Sequence, residues 1–198
     1  MLIALSRIHR AWWIVAITFL TLISAAAFRS TTGVMLVPLE DEFGWSRSLT
    51  SGAVALHLLM YGITAPFAAT LIERFSMRRV VALALLLVAS GLYLTTLMTQ
   101  SWHLVVLWGL FVGFGTGCLA LVFGAAVANR WFVKRRGLVT GVFSAGYATG
   151  SMIFLPLLTY MISSSGWRSA SITVAAFCAV LAPIIFIFLR DRPSDVGL

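Results

Sequence analysis

The sequence is poor in acidic residues and cysteine, and it has no long hydrophilic segment. Only six of its 198 residues are Asp or Glu, and only two are Cys. Cys118 and Cys178 lie in apolar stretches without a neighbouring His or a second Cys, which argues against a zinc site or a disulfide framework. We therefore expect no metal and no cofactor. The lack of a hydrophilic segment leaves no room for a separate soluble domain.

Apolar residues are abundant instead. The chain is 61% hydrophobic and 10% charged, with a mean hydropathy of +1.01. That is more apolar surface than a water-soluble core of this size can bury. The net charge of +8 comes from short clusters between apolar runs, whereas a nucleic-acid-binding domain needs its cations on one face. The composition predicts an all-α integral membrane protein without a nucleic-acid partner.

Six stretches supply the roughly 20 apolar residues that a helix needs to cross a bilayer core of about 30 Å. They cover approximately residues 12–37, 49–72, 80–99, 102–127, 138–162 and 167–189. The predicted organisation is an N-terminal segment at 1–11, a six-helix transmembrane domain at 12–189 and a tail at 190–198. Eleven of the 14 Lys and Arg residues lie in the N-terminal segment, the second and fourth loops, and the tail. Because such residues stay on the cytoplasmic side, both termini are predicted to be cytoplasmic.

Small residues predict where these helices approach one another. Glycines four residues apart allow close backbone contact in lipid. The pairs are Gly109 and Gly113, Gly137 and Gly141, and Gly146 and Gly150. The second and fifth stretches also share an order of two glycines and one proline, as a three-plus-three inverted repeat requires. These residues are Gly52, Gly62 and Pro66, and Gly141, Gly150 and Pro156.

Arg29 is the one charged residue inside an apolar stretch, and such residues are functional candidates. His57 lies at a similar distance from the outer end of the next stretch, about 12 Å at 1.5 Å per residue. A guanidinium holds a carboxylate through two parallel hydrogen bonds, so Arg29, Thr32 and His57 are candidate substrate-binding residues. Two alternatives stay open: Arg29 extends towards the headgroups, or His57 only bonds a neighbouring helix. All six carboxylates lie outside the stretches.

Residues 131–138 read Trp-Phe-Val-Lys-Arg-Arg-Gly-Leu and are followed by two spaced glycines. They resemble the signature between the fourth and fifth helices of the monocarboxylate porter and oxalate:formate antiporter branch of the major facilitator superfamily. The matching positions are Trp131, Phe132, Lys134, Arg135, Arg136, Gly141 and Gly146. Trp131 replaces a Tyr that is usual there.

Residues 69–79 resemble the loop motif between helices two and three of the same superfamily. The positions concerned are Ala69, Glu73, Arg74, Arg78 and Arg79. Ala69 stands where the family has Gly, and Glu73 stands where it has Asp. In the family the acidic residue caps a helix of the other half and stabilises the outward-open state. The resemblance implies this conformational role for Glu73.

The resemblance implies a twelve-helix fold, of which this chain corresponds to the N-terminal six-helix half. We expect a secondary active transporter of the inner membrane that carries a small organic anion, such as a monocarboxylate, together with a second six-helix half. One alternative is a parallel homodimer, and another is a non-transporting scaffold or regulator of a full-length carrier. Enzymatic activity is not expected, because the glycine-rich run at 113–117 lies within an apolar stretch rather than after a strand.

Overall fold

The computed structural model describes residues 2–119, 121–132 and 135–191. All regular structure in these ranges is helical. The helices are α1 (Leu2–Phe43), α2 (Arg47–Phe75), α3 (Met77–Thr95), α4 (Ser101–Leu104), α5 (Gly113–Cys118), α6 (Leu121–Trp131) and α7 (Arg136–Phe188). A π-helical segment, Val105–Val112, connects α4 to α5. Lys134 and most of the predicted tail lie outside the described residues.

Five helical runs within the described residues are long and apolar enough to cross a bilayer. They are Trp12–Phe43, Arg47–Phe75, Met77–Thr95, Ser101–Trp131 and Arg136–Phe188. Their hydropathy explains why helices form, since a helix satisfies its backbone hydrogen bonds internally in lipid. The all-α membrane class predicted from the sequence is confirmed.

The longest helix, α7, turns back on itself at Gly166. The backbone there has φ 80° and ψ 163°, a region open essentially only to glycine. A straight helix would separate Phe154 from Phe177 by about 35 Å, yet their ring centroids lie 6.4 Å apart. Helix α7 therefore has two antiparallel arms, residues 136–165 and 167–188. The number of six bilayer crossings stays a prediction.

Close helix contacts form at two of the three predicted glycine pairs. A Cβ atom on Gly113 would lie 2.8 Å from the Met60 Cβ atom of α2. On the first arm of α7, a Cβ atom on Gly150 would lie 3.1 Å from the Ala26 Cβ atom of α1. Gly109 and Gly146, the partners of these two glycines, are equally crowded by side chains of α2 and α1. Because glycine has no side chain, α2 approaches the fourth long helix closely, and α1 approaches the first arm of α7 closely.

The third pair, Gly137 and Gly141, does not pack against a helix of this chain. Apart from the adjacent residues and backbone of α7 itself, no described atom lies within 4 Å of a Cβ built on either residue. The prediction of a close contact there was wrong for the described residues. Both glycines lie on the exposed side of the first arm of α7, whereas Gly146 and Gly150 face α1.

Carboxylates connect the outer end of α1 to α2 and α7 through ion pairs. Glu40 pairs with Arg47 at 3.1 Å, at the start of α2. Glu42 pairs with Arg168 at 2.6 Å, and the Trp167 indole Nε1 donates to Glu42 Oε2 at 2.6 Å. The reversal of α7 is thereby held against the end of α1. Helix α1 reaches these partners because it continues through Glu40 and Glu42 to Phe43.

A carboxylate also connects α3 to the end of α7. The backbone N–H of Arg78 donates to Asp191 Oδ1 at 3.2 Å. The Arg78 guanidinium Nε lies 3.7 Å from Asp191 Oδ2, which is an ion pair without a hydrogen bond. An anion in this position stabilises the N-terminus of a helix. Asp191 therefore caps α3 from the opposite end of the chain.

Candidate functional site

The three predicted substrate-binding residues line one cavity. Arg29 and Thr32 reach it from α1, and His57 reaches it from α2. Its volume is about 210 Å³, below the roughly 300 to 1,000 Å³ of pockets for drug-sized ligands. The other lining residues are Ala25, Phe28, Gly33, Leu36, Val54, Leu58, Tyr61, Thr116 and Tyr147. The cavity therefore suits a small solute, and the role of each residue in binding stays a prediction.

Arg29 supplies the one charge that lines the cavity. Its side chain is exposed there. It makes no hydrogen bond or ion pair with any residue that the structure describes. Among the residues that the structure describes, no carboxylate lines the cavity. A guanidinium without a protein partner in an apolar helix is unfavourable by roughly 2.5 to 3.5 kcal/mol on insertion scales, and a bound anion would offset that cost.

His57 both lines the cavity and bonds a neighbouring helix. It is 7% exposed, and its Nδ1 atom lies 3.3 Å from the carbonyl oxygen of Trp108. Because a carbonyl oxygen only accepts, we assign the proton of the neutral ring to Nδ1. The Nε2 atom is then a hydrogen-bond acceptor. The Phe28 ring, 5.0 Å from the imidazole between centroids, fixes the ring from the α1 side.

The carbonyl partner of His57 belongs to the π-helical segment. Trp108 is fully buried, and its ring packs edge-on against Phe28 at 6.4 Å between centroids. Its indole Nε1 has no hydrogen-bond partner among the described residues. Segments of π-helix are frequent at functional sites because they displace side chains from the regular helical positions. The irregular part of the fourth long helix thus lies beside the cavity.

Sequence reasoning missed three polar residues of the cavity: Tyr61, Thr116 and Tyr147. The phenols of Tyr61 and Tyr147 have no hydrogen-bond partner within the described ranges, while Thr116 Oγ1 donates to the Val112 carbonyl at 2.7 Å. Helical spacing could have found Tyr61, which follows His57 by four residues on the same helix face. No comparable signal in the sequence indicated the two residues from other helices.

The loop motif at 69–79 does not contribute to the cavity. Its Glu73 lies 16 residues beyond His57 on α2, about 24 Å along the helix axis. Glu73 and Arg74 are exposed, and the Arg74 guanidinium lies over the Phe75 ring at 5.5 Å. Ala69 is half-buried, and Arg79 is exposed. The conformational role implied for Glu73 stays a prediction.

The signature between the fourth and fifth helices lies near the same end of the molecule as the loop motif. Trp131 and Phe132 are half-buried and pack against the core. Arg135 is exposed, and Arg136 Nε donates to the Phe132 carbonyl at 2.7 Å. This bond satisfies a carbonyl at the end of α6 with a residue of α7. Lys134 lies outside the described residues.

Comparisons with known proteins agree on one family. The sequence profile of the Major Facilitator Superfamily matches residues 17–197. The uncharacterized MFS-type transporter YcxA of Bacillus subtilis (strain 168) is 24% identical over 183 residues, covering 92% of this chain and 45% of the relative. Human Monocarboxylate transporter 7 is 29% identical over 190 residues, covering 92% of this chain and 36% of the relative.

A solved structure shares the fold. It is the proton:xylose symporter XylE, a major facilitator superfamily protein, bound to 6-bromo-6-deoxy-D-glucose. The TM-score is 0.76 at 15% sequence identity, over 90% of this chain and 44% of that chain. This chain thus spans less than half the length of each of the three proteins.

Proposed function

We propose, from the premise that this chain belongs to the Major Facilitator Superfamily, that it forms the N-terminal half of a secondary active transporter for a small organic anion, such as a monocarboxylate. The superfamily consists of membrane transporters, and the apolar helices of this chain agree with that class. One observation supports the choice of solute: within the described ranges, the guanidinium of Arg29 is unpaired and lines a small cavity to which no carboxylate contributes.

The polar groups of the cavity match the chemistry of a carboxylate. The guanidinium of Arg29 offers two parallel N–H donors to the two carboxylate oxygens. Tyr61 and Tyr147 offer hydroxyl donors for the same anion or for a second polar group. His57 Nε2 is an acceptor in the neutral ring and becomes a donor to the carboxylate when the ring is protonated. His57 is also the candidate proton carrier, because none of the described carboxylates lines the cavity. The name of the related human Monocarboxylate transporter 7 supports this class of solute.

Transport would use alternating access around this cavity. In major facilitator transporters, two six-helix halves rock against each other around a midplane site. We infer that the second half closes the open side of the cavity. The clusters of Lys and Arg support an inner-membrane orientation with both termini in the cytoplasm.

Substitutions of two adjacent threonines test whether the cavity binds the solute. Thr32 lines it, whereas the adjacent Thr31 is fully buried elsewhere. Both hydroxyls donate to the carbonyl four residues earlier, at 3.2 Å for Thr32 and 2.8 Å for Thr31. We expect Thr32→Val to raise the KM for monocarboxylate uptake about 2- to 10-fold, the value of one hydrogen bond, because the hydroxyl would turn its proton from the Phe28 carbonyl to the carboxylate. Thr31→Val should leave KM within about twofold. Equal effects of the two changes on KM would contradict the proposed site.

Two exposed apolar strips beside the cavity support a second six-helix unit. On α2 the strip contains Leu59, Ile63 and Phe67, and on the first arm of α7 it contains Met152 and Ile153. Glycines on the same helices open into free space: they are Gly52, Gly62 and Gly141. Small residues of this kind let another helix approach closely in a membrane. The strips therefore suit helix-to-helix contact as well as contact with lipid.

Cysteine crosslinking in native membranes tests this partner. A short bifunctional thiol reagent should crosslink Gly62→Cys and Gly141→Cys variants to another six-helix unit, whereas Ser90→Cys, on the exposed side of α3, should give no product. The mass of the product separates the alternatives. A product of twice the mass of the chain indicates the parallel homodimer, and one with a full-length relative indicates the scaffold or regulator. Absence of any product at both glycines would refute the partner.

A further inference from the structure

A second cavity lies between α3 and the second arm of α7. Its volume is about 580 Å³, and it shares no lining residue with the candidate substrate cavity. Its walls include Leu83 and Leu86 from α3 and Pro183 and Phe186 from α7. Arg79 is the one lining residue that is not apolar. We call this cavity the α3–α7 groove.

The α3–α7 groove has a charged mouth and an apolar interior. Arg79 lies in the first turn of α3, and Leu86 lies seven residues further, about 10 Å deeper along the axis. Phe186 lies near the end of the antiparallel second arm, beside the same mouth. This end of the molecule carries the loop cations and is predicted to face the cytoplasm. The groove thus runs from the membrane surface into the apolar layer.

Two adjacent arginines at the mouth have different surroundings. Arg78 is occupied, because its backbone and guanidinium contact Asp191 and its guanidinium lies over the Phe186 ring at 5.7 Å. Arg79 is exposed and has no hydrogen bond or ion pair with any residue that the structure describes. The carboxylate of Asp191 is engaged by Arg78. One guanidinium therefore stays available at the end of an apolar groove.

We propose that the α3–α7 groove binds an anionic phospholipid, with the phosphate on Arg79 and one acyl chain along Leu83 and Leu86. A basic residue beside a cavity between transmembrane helices on the cytoplasmic side is the arrangement that holds anionic headgroups. The guanidinium forms charge-assisted hydrogen bonds with phosphate oxygens. The exposed Leu83, at 62% of its full accessibility, and Phe186, at 48%, supply apolar surface for the chain. A soluble anion would use Arg79 and none of this apolar surface.

Native mass spectrometry of the purified full protein tests this proposal. Phosphatidylglycerol should be retained more strongly than phosphatidylcholine with identical acyl chains. We expect Arg79→Gln to lower phosphatidylglycerol retention about fivefold, the effect of one cation near a membrane surface. Arg79→Lys should keep most of it. Arg74→Gln is the matched control, because Arg74 is an exposed cation of the same loop outside the groove.

A second variant tests the apolar part of the α3–α7 groove independently of the charge of Arg79. Leu83→Trp fills the groove while leaving Arg79 in place, and it should reduce retention of both lipids. Glycerol phosphate, which lacks acyl chains, should not displace phosphatidylglycerol. Equal retention of the two lipids by the unmodified protein, or equal losses for Arg79→Gln and Arg74→Gln, would overturn the proposal. Displacement by glycerol phosphate would also overturn it, in favour of a simple anion site.

Discussion

Replacing Arg29 with glutamine is expected to abolish monocarboxylate uptake while the protein still inserts into the membrane. Removing one partner of a desolvated, hydrogen-bonded charge pair costs about 2 to 5 kcal/mol, so uptake should fall at least about 30-fold. Insertion should not suffer, because an arginine inside an apolar helix is itself unfavourable. The initial rate of uptake of a labelled monocarboxylate, normalised to the amount of protein in the membrane, measures the effect.

Two further variants make the Arg29 result specific. Arg29→Lys keeps the charge and loses the planar pair of donors, so it should give uptake between that of the unmodified protein and that of Arg29→Gln. Arg47→Gln serves as the control, because Arg47 pairs with Glu40 at the outer end of α2, away from the cavity. We expect near-normal uptake for that variant. Unchanged uptake with Arg29→Gln would remove the anion site.

The site chemistry depends on how α1 and α2 meet. Phe28 contacts the His57 ring, so the helix position that precedes Arg29 is fixed against α2. The bond from His57 to Trp108 orients the same imidazole from the opposite side. Arg29 and His57 are thereby held at the wall of the same cavity without a hydrogen bond between them. An anion between them would complete the polar network that the chain leaves open.

The membrane class and the residues Arg29, Thr32 and His57, which line the cavity, could be predicted from the sequence because lipid imposes simple rules. Apolar length identifies helices, and a single arginine within such a helix is conspicuous. The position of Tyr61 follows from His57 by helical spacing. Tyr147 and Thr116 were not predictable, because their distance from Arg29 depends on which helices become neighbours. Gly141 illustrates the same limit: its pair has the spacing of the two pairs that contact a neighbouring helix, yet it contacts no described helix of this chain.

The hydropathy pattern also did not predict two local features of the helices. The π-helical segment Val105–Val112 is an uninterrupted apolar run that reads as ordinary helix. Helix α1 continues past residue 37, and this continuation lets Glu40 and Glu42 pair with residues of α2 and α7. Such partners lie 7 and 126 positions away in the chain. A linear pattern carries no information about the second of them.

Gly113→Val is expected to destabilise the helix bundle and to disturb the cavity at the same time. A Cβ atom there would lie 2.8 Å from Met60 Cβ, 3.1 Å from the His57 carbonyl oxygen and 3.3 Å from His57 Cα. The last two are backbone atoms, so no rotation of a side chain relieves the contact. Overpacking typically costs 1 to 3 kcal/mol, which corresponds to a fall of about 2 to 12 °C in Tm for a chain of this size.

Thermal unfolding in detergent, followed by uptake measurements, checks both consequences of Gly113→Val. The matched control is Gly137→Val, since no described atom outside α7 lies within 4 Å of a Cβ at Gly137. Its Tm should change by no more than about 2 °C, and any change should be a rise, because Val has a higher helix propensity than Gly at an exposed helical position. The shift of α2 caused by Gly113→Val should move His57 away from Arg29, so uptake should fall even at temperatures where the variant is folded. Equal Tm values for the two variants would show that α2 and the fourth long helix are not in backbone contact at the cavity.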